Sequence, residues 1–361
     1  MGQPARRDRR ASAGLGPPTR AGRGAVIASV AAFTAIFLAG ETWAKWWPYG
    51  HKIAAVSGTH VYPGRSILGA PGAAPSWAHA WQFTVAYGKS VWIALVAALL
   101  IGAGLQTLLP RPVLARAFGA EGLRGSLGGT LAALPSLMCT CCSAPVTNSL
   151  RRSGASRSSS LAYWLANPLL NPAVLVFLAL VLPWQFAITR LVVGAVLAVG
   201  ASVLIARWAP RDPAPAPTAA GDRAGTGAGA PYRFLRALFR LAVVLVPEYF
   251  VVVLGVGALR GWLLPLGQAA SGWGFAAVLI AACAGTLLVI PTGAEIPVLA
   301  ALAAAGFATG VSGAVLIALP AVSLPSMVMV GRDLSWRVVA LTAAAVMAAA
   351  LAGAALLTVL S

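Results

Sequence analysis

Long apolar runs recur along the chain at 25–44, 84–109, 125–150, 158–182, 187–207, 233–259, 273–305, 313–330 and 338–360. Crossing about 30 Å of hydrocarbon takes roughly 20 apolar residues, so most of these runs predict membrane helices. The stretches between them differ in kind. Residues 1–24 carry six arginines against Asp8, interspersed with Gly and Pro, and predict a disordered basic cytoplasmic tail. The run 25–44 predicts an additional N-terminal transmembrane helix rather than a cleaved signal, because no small-residue cleavage site closes it and further apolar runs follow. Residues 45–83 predict an extracytoplasmic loop: they are Gly/Pro-rich, have Trp43, Trp46, Trp47, Trp77 and Trp81 at or beside their ends, and hold His51, His60 and His79. The histidine spacings match no metal-ligand motif.

A Pro/Ala/Gly linker at 208–232 separates a first permease-like repeat, 84–207, from a second, 233–361. Gly129-Thr130-Leu131 and Pro135 recur as Gly285-Thr286-Leu287 and Pro291. Pro145-Val146, Gly154 and Pro168 recur as Pro297-Val298, Gly306 and Pro320, at a constant offset of 152. Proline and glycine in order at fixed spacing predict an internal duplication. Cytoplasmic loops are enriched in Lys and Arg. The basic loops are the tail, 110–124, 151–157, the linker region 207–240 and 331–337. All of them fall on one side only if 125–150 enters the membrane and returns as a hairpin broken near Pro135 or Pro145. Treating 273–305 likewise gives an all-α polytopic protein of two inverted-topology repeats, each with a re-entrant broken helix. Lys45, Lys52, Lys89, Arg65, Arg190 and Arg260 run against this scheme but are outnumbered.

Composition narrows the class. The 361 residues are 59% hydrophobic and 9% charged, and the net charge of +18 reflects 8 acids against 26 bases. Soluble domains carry about a quarter charged residues, so soluble enzymes and nucleic-acid modules are excluded. The remaining setting is the cell (inner) membrane, with the N-terminus cytoplasmic. Four cysteines make no disulfide framework, and three of them crowd together.

That cluster, Cys139-Thr140-Cys141-Cys142-Ser143-Ala144-Pro145, falls in the first hairpin. Non-helical backbone at membrane depth is tolerated where it lines a cavity or is buried in protein. Three thiols there suit a soft, thiophilic species; equally, small residues permit close helix packing. The matching stretch of the second half is Pro291-Thr292-Gly293-Ala294-Glu295-Ile296-Pro297. A carboxylate in such a segment costs a few kcal/mol unless it is paired, protonated or facing water. Glu295 is therefore the first candidate for proton coupling or cation contact, and Glu248 the second. Asn167-Pro168 and Asn171-Pro172 break the following helix, and their side-chain amides can replace lost backbone bonds or face a polar path. The candidate substrate site is Cys139, Cys141, Cys142, Ser143, Pro145, Asn167, Asn171 and Glu295.

Cys139-Thr140-Cys141 before Pro145, then Arg151-Arg152-Ser153-Gly154 and Asn167-Pro168, resembles the predicted-permease family that includes the organoarsenical efflux permeases. Gly293-Ala294-Glu295-Ile296-Pro297 and Ser323-Leu324-Pro325-Ser326-Met327 before Arg332 extend the resemblance across 84–360. It implies export of small substrates, such as trivalent methylated or aromatic arsenicals, and points to Cys139, Cys141 and Pro145. The extra Cys142, the cysteine-free second motif and the arginine-rich tail depart from the family pattern. Alternatives are a membrane thiol oxidoreductase, for which Cys139-x-x-Cys142 has redox spacing, and a non-transporting scaffold. No Walker A signature occurs. The expected partners are a small-molecule or metalloid substrate and the bilayer, with no nucleic acid, cofactor, resident metal or catalytic residue.

Overall fold

The computed structural model describes residues 23–62, 76–209, 229–269, 274–304 and 307–361. The helices, in chain order, are α1 (Arg23–Glu41), α2 (Trp47–Thr59), α3 (Trp77–Thr107), α4 (Arg111–Phe118), α5 (Leu123–Ala133), α6 (Thr140–Arg152), α7 (Arg157–Leu169) and α8 (Pro172–Val181). They continue as α9 (Trp184–Ala195), α10 (Ser202–Trp208), α11 (Ala230–Ala269), α12 (Phe275–Leu287), α13 (Glu295–Ala304), α14 (Thr309–Ala321), α15 (Leu324–Leu334) and α16 (Trp336–Leu360). Among the described residues there is no strand. Among those residues six helical stretches are long and apolar enough to span a bilayer, and α14–α15, bent by 49°, is a seventh candidate. The chain is a multi-pass, all-α membrane protein.

The expected loop at 45–83 requires correction. Helix continues from α1 through a π-helical turn, Thr42–Trp46, into α2, and α3 already begins at Trp77. Pro48 does not end the helix, because it follows the widened turn, in which Trp47 N–H reaches back to Thr42 O. Such a turn relieves the clash between a proline ring and the carbonyl four residues earlier. Packing then holds α2: Tyr49 and Val56 are buried, and Tyr49 meets Phe177 of α8 edge-on at 6.1 Å. His60, in the left-handed region, ends the helix, and its Nδ1 lies 2.9 Å from Leu180 O. The tail and most of the linker, 210–228, lie outside the described residues.

Both hairpin regions consist of two short helices and a break. In the first, a 3-10 turn at Leu134–Ser136 and a left-handed Leu137 (φ 47°) interrupt the chain just after Pro135, whereas Pro145 sits inside α6. In the second, α12 stops at Leu287, Gly293 turns left-handed (φ 86°) beyond Pro291, and α13 starts at Glu295. The following helix is interrupted in each half, between α7 and α8 and between α14 and α15. The duplication extends to element boundaries: α7, α8 and α9 begin at 157, 172 and 184, and α14, α15 and α16 at 309, 324 and 336, each pair 152 apart. Even the caps correspond. The Asn171 side chain accepts the N–H groups of Ala173 and Val174 at the start of α8, and Ser323 forms a capping box with Ser326 at the start of α15.

Candidate functional site: the crossing of the two broken helices

The halves interlock at the breaks. Thr140 Oγ1 donates to Ser326 Oγ (2.7 Å), and Asn148 Nδ2 donates to Met329 O (2.8 Å), which ties α6 to α15. Between the breaks lies a void of about 10 Å³, lined by Cys139, Thr140, Pro168, Ile290, Pro291, Thr292, Glu295 and Pro320. Thr140 and Thr292, and Pro168 and Pro320, are pairs at the offset of 152. The void therefore sits where the duplicated halves face each other. Its volume admits about one water, so this conformation is closed around its centre.

Cys139 is the N-cap of α6 and Glu295 begins α13, so both reach the void from half-helix N-termini. Such ends carry free N–H groups and a positive dipole end, a favourable setting for negative charge. Cys139 Sγ is 3.2 Å from Cys141 Sγ and 3.1 Å from Cys142 Sγ, and all three free thiols are buried. The three sulfur atoms lie within 4.8 Å of one another. On a regular helix Cys141 points away from the face shared by Cys139 and Cys142; with Cys139 outside the first turn, the three converge. The Tyr87 hydroxyl shares a hydrogen bond with Cys141 Sγ (3.1 Å), and the Tyr249 hydroxyl donates to the same sulfur (3.7 Å).

Glu295 is paired. Arg190 Nη1 of α9 lies 2.8 Å from Glu295 Oε1, and the two side chains are 0% and 2% exposed. The same guanidinium donates from Nε to Leu169 O (3.1 Å) and from Nη2 to Pro168 O (2.6 Å). Those carbonyls stand at the end of α7, where Pro172 cannot supply an N–H for Pro168 O. Arg190, read from sequence as an exception to the loop-charge pattern, thus satisfies both an acid and a helix break. The signal for it was present, since an ionisable residue inside an apolar run marks a functional or paired site by default.

The remaining candidates divide. Asn167 Oδ1 accepts the Met138 N–H (3.3 Å) and its Nδ2 donates to Tyr163 O, so it holds the backbone of the first break. Asn171 is a helix cap. Ser143 donates to Thr140 O, and Pro145 shapes α6 from within; neither lines the void. Glu248 lies 3.2 Å from Arg332 of α15 and does not reach the void. Sequence reasoning missed Tyr87, Tyr249 and Lys45. Lys45 Nζ donates to Thr292 Oγ1 (3.3 Å), in a cavity of about 370 Å³ that shares Pro291 and Thr292 with the central void. It also missed Glu41, one turn before Lys45, which is buried with neither carboxylate oxygen hydrogen-bonded. At the other end of α6, about 18 Å from the thiols at 1.5 Å per residue, Arg152 Nε bridges both oxygens of Asp333 (3.1 and 2.9 Å).

Two interlocked halves with half-helix termini meeting at a small void that Cys139 and Glu295 reach define a class of multi-pass membrane protein built around a central crossing. The chain belongs to the predicted permease family ArsP_1, whose model matches residues 76–359. It is 40% identical over 316 residues to UPF0718 protein YraQ of Escherichia coli (strain K12), an alignment covering 88% of this chain and 91% of that protein. No solved structure matches it. Membership makes this a membrane transporter for a small substrate.

Proposed function

We propose that this permease exports a small thiophilic substrate across the inner membrane by alternating access, and that trivalent organoarsenicals are the first class to test. The observation that carries the reading is the convergence of three buried thiols at the junction of the two broken helices. A trivalent arsenical R–As(OH)₂ exchanges its two hydroxides for two cysteine sulfurs. Each thiol proton leaves with a hydroxide as water, and arsenic stays trivalent. A third thiol offers a sulfur to which the centre can pass by exchange, so it is bound without being trapped. Transport rather than turnover is the role we assign, since every step is a reversible ligand exchange.

In this reading the halves have inverted topology, the N-terminus and the arginine-rich loops face the cytoplasm, and the Arg152–Asp333 clasp closes the cytoplasmic side. Substrate contact is assigned to Cys139, Cys141 and Cys142, with Ser143, Pro145, Asn167 and Asn171 shaping the breaks. Proton coupling is assigned to Glu295, whose pair with Arg190 opens and reforms as the halves move, with Glu248 and Arg332 as the second switchable pair.

The test is resistance of arsenical-sensitive cells expressing single Cys139→Ser, Cys141→Ser and Cys142→Ser variants and the triple variant, at matched membrane levels. Each single change should reduce resistance to trivalent phenyl and methyl arsenicals, and the triple variant should fall to the level of cells without the protein. Full resistance from the triple variant would reduce the cysteines to packing residues.

A further inference from the structure

The cavity of about 370 Å³ beside the thiols contains chemistry that a purely thiophilic cargo does not need. It lies between the α1–α2 segment, α3 and the second break, and its lining includes Lys45, Lys52, Tyr49, Tyr62 and Thr292 but no acidic residue. Lys45 is 7% exposed, a large desolvation for an ammonium group. Its Nζ donates to Thr292 Oγ1 (3.3 Å) and sits 5.4 Å from the centre of the Tyr49 ring. Lys52 Nζ approaches the same ring at 5.8 Å. Glu41 is nearby on the helix but does not line the cavity, and Glu295 is occupied by Arg190. Two cations and two phenols therefore face one space with, among the described residues, no carboxylate on its wall. Pro291 and Thr292 line this space and the small void beside Cys139 alike, so the two are adjacent across those residues.

Composition sharpens the point. The chain has three lysines in all, Lys45, Lys52 and Lys89, and two of them line this cavity. In the orientation proposed above they lie on the side that membrane insertion keeps poor in positive charge, so their clustering calls for a local reason. The residues that supply them, 23–62, also precede the segment matched by the family model. The cationic wall is thus supplied by the N-terminal helices, outside residues 76–359.

We propose that this cavity is an anion-binding vestibule. It holds a carboxylate or similar oxyanion between Lys45 and Lys52, with the Tyr49 and Tyr62 rings alongside, and places whatever is attached to that anion next to Cys139. Resting on the thiol reading above, the proposal narrows the cargo to small molecules that join a thiophilic centre to a negatively charged oxygen group. A carboxylate has two acceptor oxygens for two ammonium groups, and a cavity of this size accommodates an aromatic ring.

The test measures binding to the full chain, with Cys283→Ser to remove the one exposed thiol, in nanodiscs of zwitterionic lipid. Three probes are titrated: phenylarsine oxide, its 4-carboxy derivative, and benzoate, which carries the anion without the thiophile. The carboxylated arsenical should bind more tightly than the neutral one. That preference should fall about two- to fivefold in Lys52→Gln, as for a solvent-exposed charge pair, and by about tenfold or more in Lys45→Gln, where a buried charge-assisted bond is lost. Lys89→Gln, outside the cavity wall, should leave the preference unchanged. Lys45 is buried and its variant risks misfolding, so Lys52→Gln, at an exposed position, decides independently. If phenylarsine oxide binds but the carboxylate adds nothing, or adds as much in Lys52→Gln as in the wild type, the vestibule is overturned and the thiol reading stands. If benzoate binds in a lysine-dependent way and neither arsenical binds better than benzoate, the vestibule stands alone and the thiol reading falls. A preference that phosphate abolishes at concentrations matching benzoate identifies a general oxyanion site; one that only carboxylates compete for identifies a carboxylate site. Absence of lysine-dependent binding by any probe overturns the proposal.

Discussion

Arg190 and Glu295 show how one contact settles several demands. A carboxylate and a guanidinium inside a bilayer are each costly alone, and at 2.8 Å each supplies the other's counter-charge. Removing one partner leaves a buried uncompensated charge, which typically costs about 3–5 kcal/mol. Arg190→Met also releases the carbonyls of Pro168 and Leu169 and should be the worse single variant. Glu295→Gln should lose less, because the amide keeps the shape of the acid and the guanidinium keeps its bonds to the Pro168 and Leu169 carbonyls. Thermal unfolding in detergent of both singles and the double variant should show strong coupling, the double being much less damaging than the sum. In proteoliposomes Glu295→Gln should still bind substrate but no longer respond to an imposed pH gradient. An undiminished response would move the proton to Glu248 or Glu41.

The elements meet where side chains are missing. A Cβ on Gly129 of α5 would run into the Ser159 carbonyl of α7. Gly285, its counterpart in α12, faces Ala318 Cβ of α14 at 2.9 Å and Leu319 N at 3.1 Å. Each duplicated glycine thus lets the first helix of a broken pair lie against the next helix, a packing device common between membrane helices. Gly129→Ala should destabilise by about 1–3 kcal/mol, the usual penalty of overpacking, because the obstacle is backbone. Gly285→Ala should cost less, since one of its two nearest obstacles is a methyl group. Gly88→Ala on α3, with nothing within 4 Å, should be neutral or slightly stabilising. Melting temperatures of the three purified variants would check this order.

At the scale of the molecule, the site is closed in the middle and differs at its two ends. One end has the 370 Å³ cavity with its lysines; the other has Arg152 clasping Asp333 and Arg332 facing Glu248. Under the alternating-access proposal the clasped end opens as the cavity closes, and Asp333→Asn should favour that opening. Cysteines placed singly within 151–157 or 209–231, in a background without native thiols, should resist an impermeant maleimide applied to intact cells and react after permeabilisation. A cysteine at Val61, exposed beyond α2, should react from outside. Efficient outside labelling of either basic segment would overturn the orientation.

Apolar run length was enough to determine a multi-pass helical protein, and the prolines and glycines marked the segments where helices break. These properties are local: burial in lipid needs an uninterrupted run, and a proline or glycine acts on its own turn. Cys139, Cys141, Cys142 and Glu295 were legible as candidates for the same reason, because polar groups in apolar runs stand out. Only the tertiary structure decided their partners. That Arg190 of α9 reaches Glu295 of α13, that Tyr87 and Tyr249 converge on Cys141, and that Lys45 of the N-terminal segment touches Thr292 are contacts across 54 to 247 residues of sequence. Helix propensity at 45–59 was likewise overruled by packing of Tyr49 and Val56. Such pairings follow from how the two halves wrap around each other, which no window of sequence contains.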